Sequence, residues 1–502
     1  MIACAAFLLL PILPAAADDP LPDSETIYAR VTAALGAPQH NYEEVTDSER
    51  SNHVRWRVIR YVDGANVRRR FLGESTEEQD GTYRGDAWHQ NINGLTVMHD
   101  PEPELATGET LTTSVTRIRQ PVAGYRVAKL NVHGFGSIDY VDSSTWQIVR
   151  TETVDADGTS VCNFGPLVSF GPVKKARTWH FHDAESHLDT DTTVVSYQPG
   201  IVTDDDVAIP SNRRRLVEFP PGVQSVVLPA TFQDDRIYVM LTIDGRGYDF
   251  VLDTGTSGIT VDPGAAKKLG LKLFDPSAES TDGGSVTVGR AKISAATVGP
   301  LAMHDLYVDV IPYEEQADGV QAIGLLGFDF LAELGVQIDY VHQTVTVHKF
   351  GSYTVPQGQD VNVLPIRLAS QIPMVSAKIN GATAERIVID TGASAPFFLF
   401  DYFARRHPES LIDHRHEGAY SYAVDFEGVG GAIKTKPYVI SEIILGSQHY
   451  LDFLGYLETA KGGDMDGLFG IGFLRLYDLY LDYPHGLVAI RLNKTGRRGV
   501  RR

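Results

Sequence analysis

Two copies of one short pattern, 137 residues apart, constrain this chain more than any other feature. The first runs Phe250-Val251-Leu252-Asp253-Thr254-Gly255-Thr256-Ser257, and the second Ile387-Val388-Ile389-Asp390-Thr391-Gly392-Ala393-Ser394. Three apolar residues before each aspartate read as the end of a buried strand. A carboxylate there is costly to bury unless it is paired or hydrogen-bonded. The glycine after it permits a sharp turn and a close backbone approach. A single Asp-Thr-Gly often does no more than close a hairpin. Two, each ending in Thr-Gly-x-Ser after an apolar strand, read as partners.

The segments around them repeat in the same order. Tyr238 to Gly245 is a strand running into Asp244-Gly245, and Met374 to Gly381 is its counterpart running into Asn380-Gly381. A glycine pair follows in each copy, Gly283-Gly284 and Gly430-Gly431. Next come Leu325-Leu326-Gly327 and Leu468-Phe469-Gly470, then closing segments containing Asp339-Tyr340 and Asp482-Tyr483. The last two features lie 143 residues apart. Matched features in one order point to duplication. Each copy is expected to be strand-rich, with a short helix after Asp-Thr-Gly and another after the apolar-apolar-Gly motif. Pairing about a pseudo-two-fold axis would bring Asp253 and Asp390 together.

On these motifs residues 223–493 resemble the pepsin and retropepsin aspartic proteases, most of all the bacterial periplasmic retropepsin-like aspartyl proteases. The resemblance implies a mainly β, two-lobed acid-protease fold. Its catalytic residues would be Asp253 and Asp390, supported by Thr254, Gly255, Ser257, Thr391, Gly392 and Ser394. The threonines would cross-link the two loops, and the serines would hydrogen-bond the outer carboxylate oxygens. Leu326-Gly327 and Phe469-Gly470 would pack behind the loops. The chemistry follows from elementary electrostatics. Two carboxylates about 3 Å apart cannot both ionise, so one stays protonated while the other activates a water. Neither a metal nor another cofactor is required.

Gly283, Gly284, Gly430 and Gly431 are candidate flap tips, since a glycine-rich hairpin can close over a bound peptide. An ordinary hairpin turn explains them equally well. Two departures from pepsin stand out. No flap tyrosine can be placed beyond the candidates Tyr420 and Tyr422, and Ala395 stands where the first copy has Gly258. Asp339 and Asp482 read as structural turn residues. Asp329 has Gly472 as its counterpart, which weakens any paired catalytic role for it.

The rest of the chain is organised around this repeat. Its 502 residues suggest two to four domains. The formal net charge of −20 argues against nucleic acid as the main partner. Residues 1–17 are apolar and end in Ala15-Ala16-Ala17, which reads as a secretory signal too short to span a bilayer, although no Lys or Arg precedes the apolar run. Removing it takes Cys4 away and leaves Cys162 without an intrachain partner; Cys162 reads as a packed or surface thiol.

Residues 24–200 read as an accessory domain: a helix over 24–36, capped by Ser24, and then a mostly antiparallel sheet. This region bears a resemblance to the curved-sheet modules of bacterial periplasmic lipoprotein-carrier proteins, but no motif in it specifies a ligand. His180, His182, Asp183 and His187 form its densest histidine cluster, which a solvated strand face explains as well as a metal does. Residues 201–222, with Asp204-Asp205-Asp206, Arg213-Arg214-Arg215 and Pro220-Pro221, read as a solvated linker. Lobe 1 is expected over 223–350 and lobe 2 over 360–493, followed by a basic tail over 494–502.

The expected protein is therefore an exported, secreted or periplasmic aspartic endopeptidase. It would act on a peptide or protein substrate as a monomer with intrachain lobe pairing. It would contact no nucleic acid and have no integral membrane segment after signal cleavage. The competing reading is a catalytically silent peptide- or envelope-protein-binding module that kept the cleft. A third makes 24–200 a carrier of an apolar ligand.

Overall fold

The computed structural model describes residues 20–99, 111–132, 134–155, 158–184, 186–233, 235–281, 284–313, 315–317, 320–369, 371–411, 424–428, 431–458 and 465–499. The signal segment with Cys4, and also His414, His416, Glu417, Tyr420, Tyr422, Gly283 and Gly430, lie outside them. The fold is mainly β. Among the described residues no helix is long and apolar enough to cross a membrane. The chain divides into two compact units, Met1–Gln39 with Thr107–Ala184, and His40–Ala106 with Glu185–Arg502.

In the first unit, helix Ser24–Leu35 buries Ile27 and Val31 against Val127 and Val141. Its cap is Asp23 rather than Ser24: the Asp23 carboxylate accepts from the Thr26 N–H at 2.7 Å, one of the donors that a helix start leaves free. The strands Thr178–His182, Thr159–Phe164, Ile148–Val154, Gly136–Asp142, Gly124–Leu130 and Thr112–Ile118 pair antiparallel in that order. Cys162 lies on the second of these, half-buried, and burial pushes its thiol up to about 11. A thiol in that state is not a nucleophile. His180 and His182 sit on the first, opposite Asn163 and Val161.

The second unit opens with an antiparallel run of its own. From one edge its order is Thr96–His99, Asp86–Gln90, Glu77–Tyr83, Asn66–Leu72, Arg55–Asp63, Asn41–Arg50 and Asp189–Pro199. The connection after it is not a solvated linker. Asp204–Val207 forms one helical turn closed by a Thr203–Asp206 capping box. Arg213 donates to the carbonyls of Glu77, Asn91 and Ile92. Arg214 donates to those of Asn93, His304 and Asp305. Leu216 and Val217 are buried in the main core. A guanidinium presents five donors in a fixed fork, which suits it to turn carbonyls that lack ladder partners. That is why a basic run here stitches the chain instead of waving in water.

The repeat is visible in the sheets. The first copy orders its strands as Ala230–Gln233, Arg236–Ile243, Arg246–Leu252, Val320–Leu326, Ile259–Val261, Leu301–Val310, Gly284–Val298 and Leu273–Thr281. The second orders the corresponding strands identically: Arg367–Ala369, Ile372–Ile379, Ala382–Ile389, Gly467–Phe469, Phe397–Leu399, Gln448–Glu458, Gly431–Leu445 and Val424–Gly428. The hairpins into the aspartate strands turn at Asp244-Gly245 and Asn380-Gly381, with positive φ at all four residues. Such turns match the right-handed twist of the strands they join, and Asp-Gly and Asn-Gly are the pairs that adopt them. The helices expected after each Asp-Thr-Gly are Pro263–Lys268 and Asp401–Arg406, and those after each apolar-apolar-Gly are Phe328–Leu331 and Ile471–Leu474.

A third sheet joins the copies. Its central pair is Gly335–Asp339 against Tyr477–Asp482, one strand from each copy, in register Val336 to Leu481 and Ile338 to Leu479. The core beneath it is continuous across both copies. Lys494–Gly499, expected as a basic tail, is helical.

Candidate active site

Each aspartate leaves a strand buried on both sides. Phe250, Val251 and Leu252 are fully buried, as are Ile387 and Ile389 to within a percent. The strand pairs in parallel with the apolar-apolar-Gly segment of its own copy. The first residue past the strand keeps the ladder: Asp253 N–H donates to Leu326 O at 3.1 Å, and Asp390 N–H to Phe469 O at 2.9 Å. The turn beyond is held from behind by Phe328 N–H to Thr256 O and by Ile471 N–H to Ala393 O. The apolar-apolar-Gly motifs thus set the depth at which each carboxylate emerges.

The two loops are cross-linked by their threonines. Thr254 Oγ1 donates to Ile389 O at 2.5 Å and accepts from Thr391 N–H at 3.0 Å. Thr391 Oγ1 donates to Leu252 O at 2.7 Å and accepts from Thr254 N–H at 3.1 Å. Both threonines are essentially buried, so six polar groups that would otherwise be orphaned satisfy one another in four hydrogen bonds. Gly255 and Gly392 stand where a side chain cannot. A Cβ on Gly255 would lie 2.7 Å from Asp390 Oδ2, and one on Gly392 would lie 2.6 Å from Asp253 Oδ2. The expected pairing of Asp253 with Asp390 is therefore present, close enough for a hydrogen bond between the carboxyls.

The electrostatics of the pair are not symmetric. Gly255 N–H donates to Asp253 Oδ1 at 2.7 Å. Asp390 Oδ1 receives two donors, Gly392 N–H at 2.7 Å and Ala393 N–H at 3.0 Å. Burial first, and then the neighbouring Asp390, push Asp253 well above the ordinary carboxylate range. Burial also pushes Asp390 up, opposed by its two N–H donors. Asp253 remains 9 % exposed, so one side of the pair is open to solvent.

The structure does not bring every expected residue to the carboxylates. Ser257 is exposed, and neither it nor Ser394 hydrogen-bonds a carboxylate oxygen; backbone N–H groups take that place. Gly284 and Gly431 open strands and pair with Thr281 and Gly428. Asp339 and Asp482 cap the turns after them, accepting from His342 and His485. Among the described residues no cluster of three or more His, Cys, Asp or Glu is arranged to hold a metal ion.

Sequence reasoning missed three neighbours of the pair. Arg236 is a cation whose field reaches both carboxylates and lowers them. Tyr483 is buried and Tyr340 half-buried, and the buried hydroxyls of both lack a hydrogen-bond partner. Burial raises both phenols, and the field of Asp390 reaches each of them. The tyrosines occupy equivalent places in the two copies, so the matched Asp-Tyr pairs were their signal. A cavity of about 890 Å³ opens elsewhere, lined by Leu95, Val97, Phe328, Phe350 and Tyr483 and not by the aspartates.

Residues 239–330 match a family model described as aspartyl protease. The match spans 92 of 502 residues, the span that carries the first Asp-Thr-Gly and the first apolar-apolar-Gly motif. It supports aspartyl protease character for that segment. No curated protein matches the chain significantly. Among solved structures, the basic 7S globulin from soybean is similar at 12% identity and a TM-score of 0.32, over 56% of this chain and 98% of that one. A putative outer membrane lipoprotein-sorting protein domain from Vibrio parahaemolyticus is similar at 9% identity and 0.29, over 36% and 94%. A LolA superfamily protein from Nitrosomonas europaea is similar at 10% identity and 0.28, over 37% and 97%.

Proposed function

We propose that the chain is an aspartic endopeptidase with two pepsin/retropepsin-like lobes, hydrolysing peptide bonds with a water activated between Asp253 and Asp390. One observation carries this: two carboxylates, Asp253 buried and Asp390 half-buried, held face to face by reciprocal threonine hydrogen bonds, each loop blocking any side chain on the other's glycine. A module that only bound peptide would have no use for burying two like charges in contact, which costs free energy unless a proton is shared.

Asp390, with two N–H donors, serves as the carboxylate, and Asp253, with one, keeps the shared proton in the resting pair. Asp390 takes a proton from the water as the oxygen attacks the peptide carbonyl, while the Asp253 proton hydrogen-bonds the developing oxyanion. Return of a proton to the nitrogen releases the amine. The hairpins at Gly283-Gly284 and Gly430-Gly431 act as flaps over an extended peptide. The apolar run ending at Ala17 directs the chain out of the cytosol, to the periplasm or the medium, where it works as a monomer.

The test is hydrolysis of a mixed peptide library by the purified mature chain, with and without a transition-state-mimicking inhibitor of aspartic proteases. Asp253→Asn and Asp390→Asn should each lower kcat/KM by about a thousandfold or more while the circular dichroism spectrum stays unchanged. Full activity in either variant refutes the proposal and leaves the binding module.

A further inference from the structure

The two copies differ at a buried acidic residue. Asp329 follows Gly327-Phe328 in the first copy and is 4 % exposed, whereas its counterpart Gly472 packs on Pro396. Both oxygens of Asp329 are engaged by amides from far earlier in the chain. Asn91 Nδ2 donates to Oδ1 at 2.6 Å, and Asn93 Nδ2 donates to Oδ2 at 2.7 Å. Neither amide can turn over. Asn91 Oδ1 already accepts from Leu95 N–H at 3.0 Å, and Asn93 Oδ1 accepts from Tyr307 N–H at 2.9 Å and from Arg214 Nη2 at 3.1 Å. Two fixed donors against two oxygens select the ionised carboxylate.

The other side of Asp329 touches the loop of Asp253. A Cβ on Gly258 would lie 3.4 Å from Asp329 Oδ2 and equally from Asp309 Oδ2. A side chain at 258 would thus stand in van der Waals contact with two carboxylates, whereas the second copy, with Gly472 in place of Asp329, carries Ala395. Gly327 N–H donates to Gly258 O and Phe328 N–H to Thr256 O, so the turn bearing Asp329 is bonded to the residues just after Asp253-Thr254-Gly255.

We propose that Asn91, Asn93 and Asp329 form a positioning latch through which the 91–95 turn holds the Asp253 loop in its working conformation. The inference rests on the protease reading above and extends it: the hydrolytic unit reaches N-terminal of the repeat, and only one of its two loops is latched. The groups facing Asp329 are Asn91 and Asn93 from that turn, Asp309 from strand Leu301–Val310, and Arg214 from the connection; Arg290 and Glu78 stand beyond Asp309. Burial pushes Asp329 up to about 7 against the pull of the two amides. A proton on it faces a fixed donor, so acidification opens one side of the latch.

The test uses the full chain and a peptide that it cleaves, with kcat and KM followed from pH 4 to 9. Asn91→Asp keeps the acceptor for Leu95 N–H but removes the donor, so kcat falls as pH rises and the carboxylates at 91 and 329 both ionise, and it recovers as they take up a shared proton. Asp329→Asn places an amide against an amide at every pH, so the acidic limb that remains is the one set by the Asp253–Asp390 pair. Each single variant lowers kcat about tenfold at neutral pH with KM within about twofold. In the double variant Asn91→Asp with Asp329→Asn, the amide brought in at 329 donates to the carboxylate brought in at 91. It should recover kcat to within about threefold of wild type. Singles that match wild type in kcat and pH profile overturn the latch, as does a double no better than the singles. Hydrogen exchange at the 254–258 amides, fast in the singles and restored in the double, reads the latch without activity. If the wild type shows no hydrolysis that Asp253→Asn abolishes, the protease reading fails, and exchange still decides the latch.

Discussion

Asp253 and Asp390 bind a proton more tightly in the folded chain than in the unfolded one, because burial and proximity penalise the second charge. An acid raised in this way contributes most to stability in acid. That contribution is lost as pH climbs from the ordinary carboxylate range, about 4, through the raised folded value. Asp253→Asn removes one of the two charges. Its unfolding midpoint should therefore exceed that of wild type by about 2–4 °C at pH 8 and match it near pH 4. Equal midpoints at both pH values would mean that the pair is not mutually destabilised. The aspartates, threonines and glycines of this pair were legible from two copies of an eight-residue pattern. The serines were misread: Ser257 is exposed, and the turn brings backbone N–H groups to the oxygens first.

Among elements, the turns after the apolar-apolar-Gly motifs are packed too tightly for a side chain. A Cβ on Gly327 would meet Thr256 O at 2.5 Å and Gly258 O at 2.7 Å. One on Gly470 would meet Ala393 O at 2.6 Å and also the carbonyl of Ala395. Backbone oxygens cannot move aside without breaking the ladder that seats the aspartates. Gly327→Ala and Gly470→Ala should each cost about 2–4 kcal/mol in chemical denaturation, in both copies alike. A loss below about 1 kcal/mol in either would show that the loops reseat freely. These elements were readable because their signals are local: apolar runs, Asp-Gly and Asn-Gly turns, and a repeat that doubles every observation. The cap of the first helix was missed by one residue, since Asp23 and Ser24 are both good caps and only geometry chooses.

For the whole molecule, the 201–222 connection matters more than its composition suggests. Arg214 holds Asn93 from one segment and His304 and Asp305 from another. Arg215 only lies over the Phe350 ring, at 5.1 Å. Arg214→Ala should lower stability by about 1–2 kcal/mol, with exposed His304 and Asp305 partly rehydrating. Arg215→Ala should cost about 0.5 kcal/mol. Denaturant titration of both checks the order; a reversed order would return the arginine run to the solvated linker.

The sequence by itself determined the duplication, the strand and turn skeleton of each copy, and which two carboxylates would be partners. Those signals lie within about ten residues of one another or recur at a fixed offset, so periodicity and turn chemistry expose them. Only the tertiary structure decided what stands behind the carboxylates. Asn91 is 238 residues from Asp329, and its amide reads locally as part of an ordinary turn. A hydrogen bond over that separation leaves no pattern in a single chain, because its partner is chosen by how sheets pack and not by spacing. The same packing set Asp329 behind one loop and Gly472 behind the other, and it left the two halves of a duplicated site unequal.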